Sequence, residues 1–139
     1  MSNTQGMPDA AGWDATVEAY ALYAERDTGA FAGPMLALAA IERGERVLDM
    51  AAGTGALTLP LAGAGARVTA IDWSPGMAAY LSRRLGEERP GEDHEVHAMD
   101  GQALAFTDAR FDAVLSLFGV MLFPDFRAGL AEMVTLAFQ

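Results

Sequence analysis

Two aspartates that each close an apolar segment, with a glycine-rich loop after the first, are the residues best placed to do chemistry. Residues 47–55 read VLDMAAGTG, so Asp49 ends an apolar run and small residues follow it; residues 67–72 read RVTAID and end in Asp72. Such runs suit buried strands, and glycines let backbone amides approach a ligand closely. Two acids at the carboxyl ends of neighbouring parallel strands, with this loop between them, predict a nucleoside-binding crevice.

The loop sequence also narrows the kind of ligand. A nicotinamide dinucleotide site has the pattern G-x-G-x-x-G, but Thr58 stands at the third glycine position, and Asp49 would direct a negative charge towards a pyrophosphate. A P-loop needs a lysine, and the sequence contains none. We therefore expect a ligand with a ribose, no phosphate and a positive group near Asp49. S-adenosylmethionine has these features.

Four segments, in order, resemble the class I S-adenosylmethionine-dependent methyltransferases, particularly the small-molecule branch that includes ubiquinone and menaquinone C-methyltransferases. They are residues 47–55, 68–77 (VTAIDWSPGM), 99–106 (MDGQALAF) and 111–116 (FDAVLS). The resemblance covers residues 13–133 and implies a Rossmann-like α/β fold with a doubly wound parallel sheet. It also implies SN2 methyl transfer from S-adenosylmethionine to a small-molecule acceptor, with S-adenosylhomocysteine as product.

The resemblance further implies which residues hold each part of the cofactor. For the methionine end and the methyl group, the matching positions are Tyr20 (or Tyr23), Asp49, Ala51, Gly53, Thr54, Gly55, Leu115 and Ser116. For the ribose hydroxyls, the matching position is Asp72. For the adenine, the matching positions are Trp73, Met77, Asp100, Gly101 and Gln102.

Structural roles compete with these assignments. Asp49 could cap the following turn, Asp72 could form an Asx-turn at a helix start, and Asp100 could be a turn residue. The aromatic and methionine candidates could simply pack in the core. His94 and His97 flank the third predicted strand, where an isolated histidine is more often structural than catalytic. We therefore assign no catalytic residue, and we predict no metal site because no ligand spacing is recognisable.

The amino-acid composition limits the kinds of partner that the protein can bind. Nineteen acids oppose nine arginines, for a formal net charge of −10, which argues against a nucleic-acid surface and against docking on anionic membranes. There are no cysteines, so disulfides and Cys-ligated zinc are excluded. The longest uncharged apolar run, residues 113–123, is too short to span a bilayer. We expect a cytoplasmic protein with a flexible tail at residues 1–12 and one methyltransferase domain at residues 13–139.

Strand and helix patterns alternate along the chain. We predict helices at residues 14–26, with Asp14 as its cap, and at 34–43, with Gly44 at its exit. Further helices are predicted at 55–64 and 75–87 and from residue 125 onward, although residues 134–138 also fit a strand. Strands are predicted at 46–50, 67–71, 95–99 and 111–117. Right-handed crossovers then give the sheet order 3-2-1-4.

The usual fifth to seventh strands of this fold have no counterpart in the sequence. The fourth strand is apolar on both faces and would form a sheet edge, which invites pairing. We expect a homodimer through this edge, a fragment of a longer enzyme, or a partner subunit. The alternative to an enzyme is a non-catalytic cofactor-binding or partner subunit derived from the methyltransferase fold. A Rossmann-type oxidoreductase is disfavoured by Asp49 and by the missing third glycine.

Overall fold

The computed structural model describes residues 7–106 and 111–137. In these ranges a sheet of four parallel strands forms the centre of the molecule. The strands are β1 (Arg46–Met50), β2 (Arg67–Asp72), β3 (Glu95–Ala98) and β4 (Ala113–Leu115). Their order is β3-β2-β1-β4, so the predicted Rossmann-like α/β fold and the 3-2-1-4 order are confirmed.

The two central strands are buried almost along their whole length. Val47 lies opposite Val68, and Met50 lies opposite Ile71. A parallel sheet is covered on both faces by helices, so interior strands are nearly continuous apolar runs. For this reason the apolar pattern of the sequence predicts the bounds of β1 and β2 almost to the residue. The register places Asp72 one step beyond the Met50–Ile71 pair, at the carboxyl edge.

Helices cover both faces of this sheet. Their bounds are α1 (Ala10–Asp14), α2 (Val17–Ala19), α3 (Glu25–Gly29), α4 (Ala32–Ala39), α5 (Thr58–Gly63), α6 (Pro75–Glu88) and α7 (Phe126–Ala137). A π-helical turn at Tyr20–Ala24 joins α2 to α3, and a 3-10 turn at Val120–Leu122 precedes α7. None of the helices in the described ranges is long and apolar enough to cross a membrane.

Successive side chains of a strand point to opposite faces of the sheet, and this sorts the core into two layers. Val47 and Val68 pack with Leu61 of α5 and Ala32 of α4. Leu48 packs on the other face in a cluster that includes Leu136 of α7. On the α5 side, Leu81 and Leu85 of α6 pack with Ala70. The sheet is therefore held between α4, α5 and α6 on one side and α7 on the other.

The N-terminal predictions need correction. The first described helix, α1, begins at Ala10, because the Asp9 carboxylate accepts a hydrogen bond from the Gly12 amide at 2.8 Å. Part of the expected tail is therefore helical, and residues 1–6 of it lie outside the described residues. Asp14 ends α1 instead of capping a helix of its own. Its carboxylate accepts hydrogen bonds from the Ser74 hydroxyl and from the Gly76 amide.

Other boundaries also differ from prediction: the helix predicted at 55–64 spans Thr58–Gly63, and the one predicted at 14–26 is divided by the π-helical turn and continues to Gly29. Helix α4 ends before Ala40, which adopts a left-handed φ of 51°, so the chain leaves the helix four residues before Gly44. Strand β4 is shorter than the predicted 111–117, because only Ala113–Leu115 pairs with β1. The strand alternative for residues 134–138 is wrong for the described part, since α7 is helical through Ala137; Phe138 lies outside the described residues.

Candidate functional site

A cleft opens at the carboxyl ends of β1 and β2, where the sequence places the paired acids. Most of the predicted cofactor residues line it, and they come from four segments that are far apart in the sequence. These residues are Tyr20, Ala51, Gly53, Asp72, Trp73, Met77, Asp100 and Gln102. The parallel strand order brings them together, because every strand ends at the same edge of the sheet.

Asp72 fixes the geometry of the cleft wall. Its Oδ2 accepts a hydrogen bond from the Gly53 amide at 2.9 Å, and its Oδ1 accepts one from the Ser74 amide at 2.9 Å. Burial raises the pKa of Asp72, although the hydrogen bonds from Ser74 and Gly53 oppose this effect. The Asx-turn is therefore present, and the same carboxylate also lines the cleft. The structural and ligand-binding interpretations are compatible at this residue.

Asp49 lies behind the cleft and is 1% exposed. The Thr58 hydroxyl donates to its Oδ2 at 2.6 Å. Its Oδ1 has no hydrogen-bond partner. Among the described residues, every other buried side-chain oxygen or nitrogen has one. Burial raises the pKa of Asp49 to about 7; the bond from Thr58 lowers it and the charge of Asp72 raises it further. An unpartnered buried carboxyl oxygen is costly, unless a positive group lies nearby.

The loop between β1 and α5 turns through left-handed backbone conformations. Ala51, Gly53 and Gly55 have φ values of 59°, 57° and 107°. A Cβ on Gly55 would lie 2.6 Å from a methyl carbon of Leu81, so only glycine fits there. A Cβ on Gly53 would instead lie 3.8 Å from the Tyr20 ring, across the cleft. Gly53 therefore faces the cleft, whereas Gly55 packs against α6.

Thr54 is fully buried and does not line the cleft. Its hydroxyl donates to Glu25 Oε1 at 2.6 Å, and Arg84 donates to both Glu25 and the Thr54 carbonyl. Desolvation lowers the pKa of Arg84, but its hydrogen bonds to Glu88 and Glu25 outweigh this effect and raise it. Thr54 thus anchors the loop to α3 and α6 rather than presenting a side chain to a ligand.

Three more predicted residues lie outside the cleft lining. Leu115 packs in the core on the α4 and α5 side of the sheet. Ser116 donates its hydroxyl to the Met50 carbonyl at 2.8 Å and accepts from the Val120 amide at 3.2 Å. Gly101 is buried, and a Cβ there would lie 2.6 Å from the ring of Phe123. These residues shape the cleft from behind. The alternative tyrosine, Tyr23, is exposed and away from it.

Asp100 and Gln102 form a turn that also faces the cleft. Asp100 Oδ1 accepts from the Gln102 backbone amide at 2.8 Å and from its side-chain amide at 3.1 Å. Gln102 Oε1 accepts from the Asp125 amide at 2.7 Å. The turn alternative for Asp100 is therefore present together with exposure to the cleft. The pair also connects the β3 side of the cleft to the segment before α7.

Seven further lining residues escaped the sequence prediction. Most belong to one apolar segment after β4, and one comes from α1: Trp13, Leu117, Phe118, Gly119, Leu122, Phe123 and Pro124. The Trp13 and Tyr20 rings meet edge to face, 6.4 Å apart. The apolar run after the fourth strand was a usable signal, because loops at the carboxyl ends of strands form ligand crevices. Trp13 carried no comparable signal in the sequence.

The two histidines do not line the cleft. His94 Nδ1 accepts from the Val68 amide at 3.1 Å, and its Nε2 lies 2.7 Å from Glu92. His97 Nε2 lies 3.1 Å from Glu95. Both side chains therefore have structural partners on the surface or at the sheet edge. In residues 7–106 and 111–137, no group of three or more histidine and acidic side chains is placed to hold a metal ion.

Comparison with known proteins agrees with this geometry. The methyltransferase-domain family model matches residues 47–137. An uncharacterized protein of Mycobacterium tuberculosis (strain ATCC 25618 / H37Rv) is 38% identical over 115 residues, which cover 83% of this chain and 41% of that protein. A demethylmenaquinone methyltransferase of Corynebacterium glutamicum (strain R) is 43% identical over 95 residues, which cover 67% of this chain and 37% of that enzyme.

A solved structure extends the comparison to three dimensions. Magnesium protoporphyrin IX methyltransferase from Synechocystis PCC 6803, crystallised with bound S-adenosylmethionine, matches with a TM-score of 0.67 at 24% identity. The match covers 82% of this chain and 54% of that one. At this identity the likeness shows the shared fold.

The chain belongs to the methyltransferase-domain family. The predicted family is thereby confirmed, and S-adenosylmethionine is the molecule bound in the Synechocystis enzyme. The chain spans about two fifths of the length of the curated relatives it matches. The reaction in the name of the Corynebacterium enzyme is a statement about that enzyme.

Proposed function

We propose that this chain binds S-adenosylmethionine in the cleft and transfers its methyl group to a small-molecule acceptor. The observation that carries the proposal is the pair of acids at the carboxyl ends of β1 and β2, of which Asp49 is buried and Asp72 is partly buried. Asp72 lines the cleft, and Asp49 behind it has one buried oxygen without a hydrogen bond. A ligand with ribose hydroxyls and a positive charge suits this pair, and a pyrophosphate does not.

The residues present fit the cofactor part by part. Asp72 would accept hydrogen bonds from the ribose hydroxyls, since an ionised carboxylate only accepts. Trp73 and Met77 would flank the adenine, with Asp100 and Gln102 at its polar edge. Gly53 and Tyr20 would contact the methionine end, while Asp49 supplies negative charge from behind. The anchoring of Thr54 by Glu25 and Arg84 would hold this loop in the same position whether or not a ligand is bound.

When bound, S-adenosylmethionine supplies an electrophilic methyl group on a sulfonium leaving group. In the proposed transfer an acceptor nucleophile would form its bond to the methyl carbon as the carbon–sulfur bond breaks, the electron pair of that bond would stay on sulfur, and the proton of the acceptor would pass to bulk water after the transfer. The role of the chain is to position the two reactants and to exclude water from the reacting atoms. Trp13, Phe118 and Phe123 supply the apolar walls for this.

Titration calorimetry of the chain with S-adenosylmethionine, S-adenosylhomocysteine and NADH tests the cofactor. We expect both sulfur compounds to bind and NADH not to bind. The variant Asp72→Asn should weaken binding of S-adenosylhomocysteine by about 1–3 kcal/mol, which is about 5- to 150-fold, because one acceptor for a ribose hydroxyl is lost. Asp93→Asn is the matched control, since the Asp93 side chain is 82% exposed and makes a surface ion pair. Tight binding of NADH with no response to either sulfur compound would refute the proposal.

Transfer of a tritiated methyl group across a panel of small acceptors then separates an enzyme from a cofactor-binding subunit. Binding without transfer to any acceptor would favour the non-catalytic alternative.

The cytoplasmic location, the lack of a nucleic-acid partner and the homodimer through the β4 edge remain predictions from composition and strand pattern. Sedimentation velocity tests the dimer directly.

A further inference from the structure

A second cavity lies beside the cofactor cleft, on the other side of the segment after β4. We call it the apolar groove. Its lining consists of Phe31, Pro34, Met35, Leu38, Ser116, Leu117, Phe118, Gly119, Val120 and Met121. None of these residues carries a charge, and the single hydroxyl, on Ser116, is already bonded to Met50 and Val120. Leu38 is 90% exposed and Met121 is 68% exposed. The lining thus offers apolar contact and almost no polar group.

The groove and the cleft share three lining residues, Leu117, Phe118 and Gly119. Phe118 is the aromatic residue among these three. Its ring meets the ring of Phe31 edge to face, with centroids 5.2 Å apart. Phe118 therefore lines both cavities, and a molecule in the groove would lie next to a molecule in the cleft at this residue.

The backbone at Phe118 is unusual for a bulky residue. Its φ of 61° lies in the left-handed region, which such residues rarely adopt. The surrounding structure imposes it. Ser116 ties the turn to Met50 and to Val120, and Gly119 approaches Ala51 so closely that a Cβ on Gly119 would overlap with it. Strained residues persist where their surroundings over-determine them, and they concentrate at functional sites.

We propose that the apolar groove is the acceptor site, that it takes an uncharged apolar small molecule, and that Phe118 is its specificity-determining residue. This rests on the proposed function, because an acceptor site has meaning only beside a methyl donor. The continuity of the two cavities through residues 117–119 favours a reactant over any other occupant. A charged acceptor would find no partner for its charge among these lining residues, so the lining favours an uncharged one.

The groove can be probed in the 139-residue chain with N-phenyl-1-naphthylamine, an uncharged apolar dye that fluoresces on leaving water. We expect the dye to bind in the presence and in the absence of S-adenosylhomocysteine. Leu38→Glu should weaken dye binding at least tenfold, because it places a carboxylate in the groove. Leu22→Glu is the matched control: Leu22 is 72% exposed and lines neither cavity. Neither substitution should change the affinity for S-adenosylhomocysteine.

A matched pair of alanine variants tests the role of Phe118. Phe118 and Phe126 are 42% and 43% exposed, but Phe126 lines neither cavity. Phe118→Ala should weaken dye binding several-fold, and Phe126→Ala should leave it unchanged. If both alanine variants lose dye binding equally, or if Leu22→Glu weakens it as much as Leu38→Glu, the assignment of the groove is wrong. Thermal unfolding of each variant confirms that the chain still folds.

The two proposals fail in different ways. Absence of dye binding with normal binding of S-adenosylhomocysteine overturns the acceptor site and leaves the proposed function standing. Dye binding without any binding of S-adenosylhomocysteine overturns both, since no donor would lie beside the groove. The groove could instead be occupied by a second copy of the chain, and sedimentation velocity tests this. If the chain is a dimer and Leu38→Glu dissociates it, the groove is a contact between two copies and its role as an acceptor site is overturned.

Discussion

The buried carboxyl of Asp49 should make the stability of this protein depend on pH in an unusual direction. Its ordinary pKa is 3.8, and burial raises it to about 7 in the folded chain. One pKa unit corresponds to about 1.4 kcal/mol, so ionising Asp49 in the folded state costs about 4 kcal/mol relative to the unfolded chain. The isosteric change Asp49→Asn removes this ionisation and keeps an oxygen that can accept from Thr58.

The direction follows from proton binding. Between about pH 4 and pH 7 the folded chain holds the Asp49 proton and the unfolded chain has lost it. The folded state therefore binds more protons in this window, and its stability falls as the pH rises. The contribution of Asp49 is fully favourable below the unfolded pKa and is lost by the time the pH passes the folded pKa. Most paired carboxylates behave in the opposite way.

Urea unfolding of the wild-type chain and of Asp49→Asn at pH 5 and at pH 8 measures the effect. From pH 5 to pH 8, the wild type should lose about 2–3 kcal/mol of unfolding free energy relative to the variant. All other titrating groups are common to both proteins, so the difference isolates Asp49. Asp93→Asn, at an exposed position, should show no such change. A difference between wild type and Asp49→Asn that stays constant across this range would refute the buried, unpaired carboxyl.

Ligand binding extends the same prediction. A cationic group near Asp49 lowers its pKa, so at pH 6 binding of S-adenosylmethionine should release up to about 0.9 proton from Asp49, the fraction protonated in the free chain. Calorimetry in buffers with different ionisation enthalpies counts that proton. The Asp49→Asn chain should release none. Equal proton release by the two chains would show that Asp49 does not respond to the ligand.

Two further predictions concern the frame of the cleft. Ser74→Ala should lower the free energy of unfolding by about 1 kcal/mol in urea titrations, because Ser74 caps α6 by accepting from the Met77 amide at 3.0 Å; an unchanged midpoint would contradict the cap. Gly101→Ala should destabilise by about 1–3 kcal/mol because its Cβ would overlap the Phe123 ring. Gly86→Ala, in α6 with no atom near the new Cβ, should instead stabilise by about 0.5–1 kcal/mol, and equal shifts for the two glycines would contradict the packing described.

The local sequence pattern was enough to predict the sheet and the acidic residues at its carboxyl edge. Strands β1 and β2 are buried on both faces, so burial alone requires continuous apolar residues, and the sequence shows them without any tertiary information. The acids at their ends follow from the same pattern, because parallel strands end at one edge. Asp49 and Asp72 could therefore be found from the sequence, together with the glycine loop between them. The strand order followed from chain connectivity and the usual handedness of crossovers.

Only the tertiary structure decided which side chains face the cleft. Asp14 looks like a local helix cap, yet its partners are Ser74 and Gly76, more than fifty residues away. Thr54 and Ser116 stand beside true lining residues, but their hydroxyls turn inward to Glu25 and to Met50. Sequence spacing sets where a backbone passes. The direction of each side chain depends on hydrogen-bond partners and packing that other segments supply, and those partners exist only once the chain has folded.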